Sequence, residues 1–113
     1  MQFMCLIYSD PANNPVPETP EFGEMMQGYG AFSKHVQETG KLVAGDALLG
    51  VETATTVSVR EGKTETMDGP FMETKEVLGG YYLLECDDLD DAIKLAAQIP
   101  TAKFGRIEVR PVM

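Results

Sequence analysis

The chain is expected to fold as an α+β, ferredoxin-like sandwich with an extra hairpin, and to pair with a second copy through its sheet. Three observations carry that expectation. The elements run strand, helix, strand, hairpin, strand, helix, strand, which is the order of two split βαβ units with an insertion. Two helices can cover only one face of such a sheet. Yet Phe3 to Tyr8 and Tyr81 to Leu84 read as apolar on both faces, so the second face needs cover, and sheet-to-sheet homodimerisation supplies it.

Taken in order, Phe3 to Tyr8 is an uninterrupted apolar strand bounded by Ser9-Asp10-Pro11. Asp10 to Pro17 holds three prolines and two asparagines and must be a loop. Thr19 offers an N-cap, Pro20 an N1 proline and Glu21 a negative charge at a helix start. Phe22, Met25, Met26, Tyr29, Phe32 and Val36 follow at spacings of three and four, one apolar face of a helix to about Thr39, and Gly40 stops it. Gly23, Gly28 and Gly30 lie inside that helix and cost roughly 1 kcal/mol each relative to alanine. They are either tolerated or there to let another backbone approach.

Leu42 to Leu49 is the second strand, with a bulge or bend expected at Gly45-Asp46. Thr55 to Arg60 alternates as the third, turning at Glu61-Gly62-Lys63 into Thr64 to Met67. Gly80 to Cys86 is a further strand. Asp88 caps a second helix whose Leu89, Ala92, Ile93, Ala96, Ala97 and Ile99 are assigned to the core, with Pro100 closing it. Ile107 to Val112 ends the chain as an edge strand marked by Pro111. No linker or repeat divides residues 1–113, so they read as one domain.

Composition excludes several functions. The net charge of −9 and a pI near 4.4 repel phosphate backbones and anionic membranes, and the nine basic residues form no stripe. No run approaches the ~18 apolar residues that span a bilayer, and Met1 to Tyr8 reads as a strand rather than a leader. The expectation is a cytoplasmic protein. Cys5 and Cys86 sit in apolar strands as buried free thiols, with a disulfide or a reactive thiol as the alternatives. Two cysteines and one histidine make no zinc spacing, and no phosphate-binding loop or nucleophile elbow is present. No metal or cofactor is expected.

The densest segment is Asp68-Gly69-Pro70-Phe71, followed by Met72-Glu73-Thr74-Lys75-Glu76 and Leu78-Gly79-Gly80-Tyr81-Tyr82. It places a tight turn, an aromatic, three charges and a double-glycine hinge just before the most apolar strand. This stretch resembles the signature of the DGPF group within the YCII-related family. The likeness extends over Leu6-Ile7-Tyr8, Gly40 with Leu42-Val43-Ala44-Gly45, Tyr82-Leu83-Leu84-Glu85, Asp91-Ala92 and Glu108-Val109-Arg110-Pro111-Val112. The resemblance implies a dimeric α+β barrel whose joined sheets enclose a cleft for small molecules. It also implies a link to extracytoplasmic-function sigma factors, beside whose genes those of similar proteins often lie. Members of the wider family carry a first-helix histidine thought to pair with an aspartate. Here that position falls near Gly28 and the only histidine is His35, so the dyad does not carry over intact.

Asp68 is the candidate catalytic residue, either a turn former accepting backbone N–H bonds or a carboxylate that accepts a proton at a cleft mouth. Phe71 and Tyr8 are candidate walls of that cleft. Lys75, between Glu73 and Glu76, is either a solvated charge or a cationic anchor. Arg110 shares one face of the last strand with Glu108, exposed to solvent or, in a barrel dimer, turned inward to grip an anion. Asp46 is a possible second carboxylate. Tyr8, Tyr81 and Tyr82 should place at least one hydroxyl on a polar partner or cavity. Two functions therefore stand: a small-molecule binder, extending to a cofactor-independent acid–base enzyme, and a non-catalytic regulatory protein docking through the signature.

Overall fold

A computed structural model describes residues 1–113. Its strands and helices are β1 (Gln2–Ser9), α1 (Pro20–Glu38), β2 (Leu42–Ala47), β3 (Thr55–Arg60), β4 (Lys63–Asp68), β5 (Val77–Glu85), α2 (Leu89–Ala96) and β6 (Arg106–Pro111). Four strands form one sheet in the order β2-β5-β1-β6 with every neighbouring pair antiparallel, and β3-β4 is a separate hairpin. The α+β class and the inserted hairpin are as expected. The sheet of the single chain is open, with β2 and β6 at its edges, and no barrel closes.

β1 shows how the two faces differ. Phe3, Cys5 and Ile7 are buried, while the alternating Met4, Leu6 and Tyr8 are only half-buried. The strand is therefore not enclosed on both faces within one chain. Successive strand side chains point to opposite faces, and both helices pack on one of them. The core there joins Phe3, Cys5, Ile7, Tyr82 and Leu84 to Phe32 and Val36 of α1 and to Ala92, Leu95 and Ala96 of α2. Burying each large apolar side chain of this set contributes about 1.5–3 kcal/mol. The opposite face carries Met4, Leu6, Tyr8, Tyr81 and Leu83 with no layer above them.

α1 forms where the caps predict. Thr19 Oγ1 accepts from the Phe22 N–H at 3.3 Å, and Pro20 and Glu21 occupy the first turn. At the other end Lys41 N–H donates to Val36 O at 2.8 Å and Gly40 N–H to Gln37 O at 3.1 Å. Gly40 supplies the left-handed residue at φ 72° that this paired termination requires. α2 departs from the expected face. Leu95 is buried, whereas Leu89 and Ile93 are half-exposed and Ala97 is exposed. Asp88 accepts from the Asp91 N–H at 2.9 Å, and Lys41 Nζ holds Asp91 Oδ2 at 2.7 Å. Those anchors set the roll of a short helix that the apolar spacing alone left ambiguous. Neither helix is long and apolar enough to cross a membrane.

Two irregularities fall elsewhere than expected. The β2 register slips between Leu42 and Ala44, which makes Val43 the bulged residue rather than Gly45-Asp46. The double glycine is not a free hinge. It lies within β5, where Gly79 is the extra residue opposite the Ile7–Tyr8 step of β1.

The hairpin turns on Glu61 and Gly62, at φ 52° and 78°, as a two-residue turn requires. Every residue of β4 is exposed, as are Val57 and Val59 of β3. The hairpin leans on the rest only marginally. The chain is accordingly thin, 47 × 38 × 19 Å, with a radius of gyration of 15.9 Å against about 13 Å for a compact domain of this length.

Candidate functional site

The helix period that built the α1 stripe also places chemistry. Phe22, Met25, Met26, Tyr29 and Ser33 follow one another down a single face of α1 and roof a cleft of about 540 Å³ over the sheet. Its floor includes Ile7, Gly45, Gly80 and Tyr82, and its far end is Thr101 and Phe104. Inside this apolar cleft two hydroxyl pairs meet. Tyr29 and Thr101 share a hydrogen bond of 2.5 Å, and Ser33 and Tyr82 share one of 2.8 Å.

Two glycines make those meetings possible. A Cβ on Gly45 would stand 2.7 Å from Tyr82 Cδ1, so Gly45 leaves the space that the Tyr82 ring occupies. That ring also packs edge-on against Phe32, centroids 4.9 Å apart at 68°. A Cβ on Gly28 would stand 2.9 Å from Pro100 Cγ. Gly28 thus lets the 3₁₀ turn Pro100–Lys103 close onto α1 and brings Thr101 to Tyr29. Of the three helical glycines only this one serves an approach, and the neighbour is the chain's own; nothing stands near Gly23 or Gly30.

The electrostatics favour neutral hydroxyls. Burial pushes the Tyr29 phenol above its ordinary range, the bonds to Thr101 offset part of that, and nearby Tyr82 adds a smaller upward push. Tyr29 therefore keeps its proton at neutral pH. No Lys, Arg or His lines the cleft. The one acidic residue of its lining, Asp46, pairs across the sheet with Tyr81 and turns its carboxylate to the open face. There it accepts from the Tyr81 hydroxyl at 2.9 Å and raises the Tyr81 phenol in turn.

A second groove of about 700 Å³ lies between the end of the sheet and the signature segment. Tyr8 and Phe71 share it, with Leu48, Leu49, Met72 and Leu78. These two expected walls are the sequence candidates that the fold brings together. Asp68 is not with them. It is exposed at the end of β4, opposite Thr55, and its carboxylate makes no hydrogen bond or ion pair. The turn it precedes is held by backbone instead: Gly69, at φ 89°, donates its N–H to Ala54 O at 2.7 Å and accepts at its carbonyl from Thr56 Oγ1 at 2.7 Å. Lys75 is exposed and unpaired. Arg110 forms an ion pair with its neighbour Glu108 at 2.8 Å on the open face of the sheet. His35 is exposed on α1. No three His, Cys, Asp or Glu side chains converge anywhere.

The model of the YCII-related domain matches residues 1–113, the whole chain. The chain belongs to the YCII-related family. This YCII-related protein is also 35% identical, over 114 residues, to an uncharacterized protein of Rhizobium meliloti (strain 1021), an alignment covering 99% of this chain and 92% of that one.

Tyr29, Ser33 and Thr101 are not among the site residues expected from the sequence. A signal existed for two of them: hydroxyls at positions i and i+4 interrupt an otherwise apolar stripe. Thr101 had none, because its pairing spans 72 residues. Among the three strand tyrosines, Tyr81 and Tyr82 do place their hydroxyls on polar partners, as expected.

Proposed function

We propose that this YCII-related protein is a homodimeric binder of a small, partly apolar compound, taken up in the cleft beneath α1. One observation carries the reading: an apolar cleft of about 540 Å³ holds two hydroxyl pairs that link its α1 roof to β5 and to the turn at Thr101. Ligand sites are typically mostly apolar spaces of roughly 300–1,000 Å³ with a few converging polar groups. The test is a thermal-shift screen of the purified protein against several hundred metabolites, with Ser33→Ala alongside. Binding to the folded state raises the melting temperature by mass action, about 2.7 kcal/mol at a hundredfold excess over Kd. A reproducible hit weakened in Ser33→Ala is expected. A hit that Ser33→Ala leaves untouched, or none across the collection, removes the reading.

A second copy is assigned to the open face of the sheet. Half-buried Met4, Leu6, Tyr8, Tyr81 and Leu83 on that face support the assignment, as does a molecule only 19 Å thick. Sedimentation velocity should give a dimer for the wild type and a monomer for Leu83→Glu. A wild-type monomer at micromolar concentration refutes the pairing. A cytoplasmic home fits the two buried free thiols. Acid–base chemistry by Asp68 is a narrower form of the proposal. It needs the second copy to bring a ligand site to a carboxylate that stands alone in one chain, and turnover unchanged in Asp68→Asn removes it.

A second reading rests on a different observation. Phe71 is 75% exposed and Met72 is exposed beside it, on the segment that carries the family signature. Such a surface suits a non-catalytic regulatory protein that docks a partner, a sigma factor being the one the family resemblance suggests. Pull-down with the wild type but not with Phe71→Ser would favour it.

A further inference from the structure

We propose that the cleft beneath α1 selects a neutral compound bearing a carbonyl or ether oxygen, recognised by one free hydroxyl proton from each pair. The inference rests on the small-molecule reading above and names the class of ligand.

A hydroxyl has one proton to donate and can accept on its lone pairs. In the Tyr29–Thr101 pair one proton is committed to the shared bond, and in the Ser33–Tyr82 pair likewise. The one further partner is the Thr101 backbone, which donates toward the Tyr29 phenol, so each pair still retains one proton directed at no protein acceptor. Tyr29 and Ser33 lie one helical turn apart, so both hydroxyl pairs, each with one free proton on one of its two members, are anchored to the same stretch of α1. A free donor from each pair, facing an apolar space, suits a ligand whose oxygen offers acceptor lone pairs and no charge. The phenol of Tyr29, held protonated by burial, cannot become the counter-charge of a cation at neutral pH.

Charge then narrows the class. An anion would enter a cleft with no cationic side chain, in a chain of net charge −9, and would lose its hydration without a partner. A cation would find no free carboxylate there, since that of Asp46 is turned to the open face of the sheet and engaged by Tyr81. Phe22, Met25, Met26 and Phe104 offer apolar and aromatic surface for the body of the ligand.

The experiment uses four probes with one ring system: acetonaphthone, ethylnaphthalene, naphthylethylamine and naphthoate. Binding to the full chain is measured by ligand-observed NMR and calorimetry, with Tyr29→Phe and Ser33→Ala as variants whose fold is checked by circular dichroism. The ketone should bind at least several-fold tighter than the hydrocarbon, and the amine and carboxylate should bind more weakly than either. A neutral hydrogen bond contributes about 0.5–1.5 kcal/mol, so each variant should weaken the ketone by about two- to twelvefold. The hydrocarbon should be unaffected. Equal binding of ketone and hydrocarbon overturns the hydroxyl recognition and leaves the small-molecule cleft standing. Strongest binding by the amine or the carboxylate overturns neutrality. Failure of all four overturns the inference, while the metabolite screen decides separately whether the cleft binds anything.

Discussion

The three glycines of α1 offer a sharp test, because one sequence feature divides into two physical cases. At Gly23 and Gly30 an added Cβ meets nothing, so alanine should recover the helical penalty of about 1 kcal/mol at each. With an unfolding entropy of roughly 0.24 kcal/mol/K for a chain of this length, that is a rise in Tm of about 4 °C per site. The two sites lie seven residues, or roughly 10 Å, apart along the helix, far enough for a double variant to gain about 8 °C additively. Gly28 is the opposite case. Its Cβ would come within 2.9 Å of Pro100 Cγ, well inside the ~3.5–4.0 Å of ordinary carbon contact. Overpacking of this kind costs about 1–3 kcal/mol, which cancels or exceeds the helical gain and predicts a Tm unchanged or lowered by up to about 8 °C. Displacing Pro100 also carries Thr101 away from Tyr29, so ligand affinity should fall as well. Thermal unfolding at one fixed protomer concentration measures all four variants. A Gly28→Ala protein as stabilised as the other two would refute the close approach to Pro100. Destabilised Gly23→Ala and Gly30→Ala proteins would mean that a partner, not solvent, covers that face of α1.

Three further outcomes follow from the same structure. Gly45→Ala should lower Tm by about 4–12 °C, since its Cβ would meet the Tyr82 ring at 2.7 Å and overpacking costs about 1–3 kcal/mol; an unchanged Tm would mean that the ring swings aside freely. The Lys41 bond holds the Asp91 carboxyl below its ordinary value, with a further contribution from the Asp87 N–H. A depressed carboxyl stabilises the fold fully above its unfolded pKa of ~4 and loses that contribution as pH falls through the folded value. Asp91→Asn should therefore be less stable than wild type at pH 7, with the gap closing in acid, and a gap that widens in acid would contradict the assignment. Burial pushes the Cys5 thiol up to about 11, so neither buried cysteine should react appreciably with an alkylating reagent at pH 8 until the protein is unfolded; rapid labelling of the native protein would show an open core.

What the sequence disclosed about the fold was local or periodic. The Thr19 cap, Pro20 and Gly40 bounded α1 because caps are chemistry within a few residues. Glu61-Gly62 turned the hairpin for the same reason. The roll of α2 was not legible, since Leu89 and Ile93 are as apolar as Leu95 and the choice between them comes from where Lys41 holds Asp91. The depth of burial of β1 was overstated because an apolar run does not say whether its second face is covered within the chain or beyond it. Val43 rather than Gly45 became the bulge because Gly45 is needed where it is, under the Tyr82 ring.

The candidate site was hidden by the same logic. The most distinctive words of the sequence, Asp68-Gly69-Pro70-Phe71, mark a bend where the chain leaves the hairpin: Gly69 takes φ 89° and prolongs the pairing to Ala54 and Thr56 through its own N–H and carbonyl. A positive φ at one position favours glycine there, so the bend is written in consecutive residues. The most chemically capable place needs hydroxyls to converge from α1, β5 and the turn at Pro100, over separations of 72 and 49 residues. Each of those residues has an ordinary neighbourhood in the sequence. Tyr29 sits in an apolar stripe, Ser33 in a helix, Tyr82 in a strand and Thr101 beside a proline. Only the split βαβ order, which lays α1 across β5 and returns the chain after α2 to the base of α1, places them on one cleft. A distinctive motif and a candidate site are therefore separate expectations in this fold, and substitutions at Gly69 should damage the hairpin while substitutions at Tyr29 and Ser33 should weaken the ligand binding proposed for the cleft.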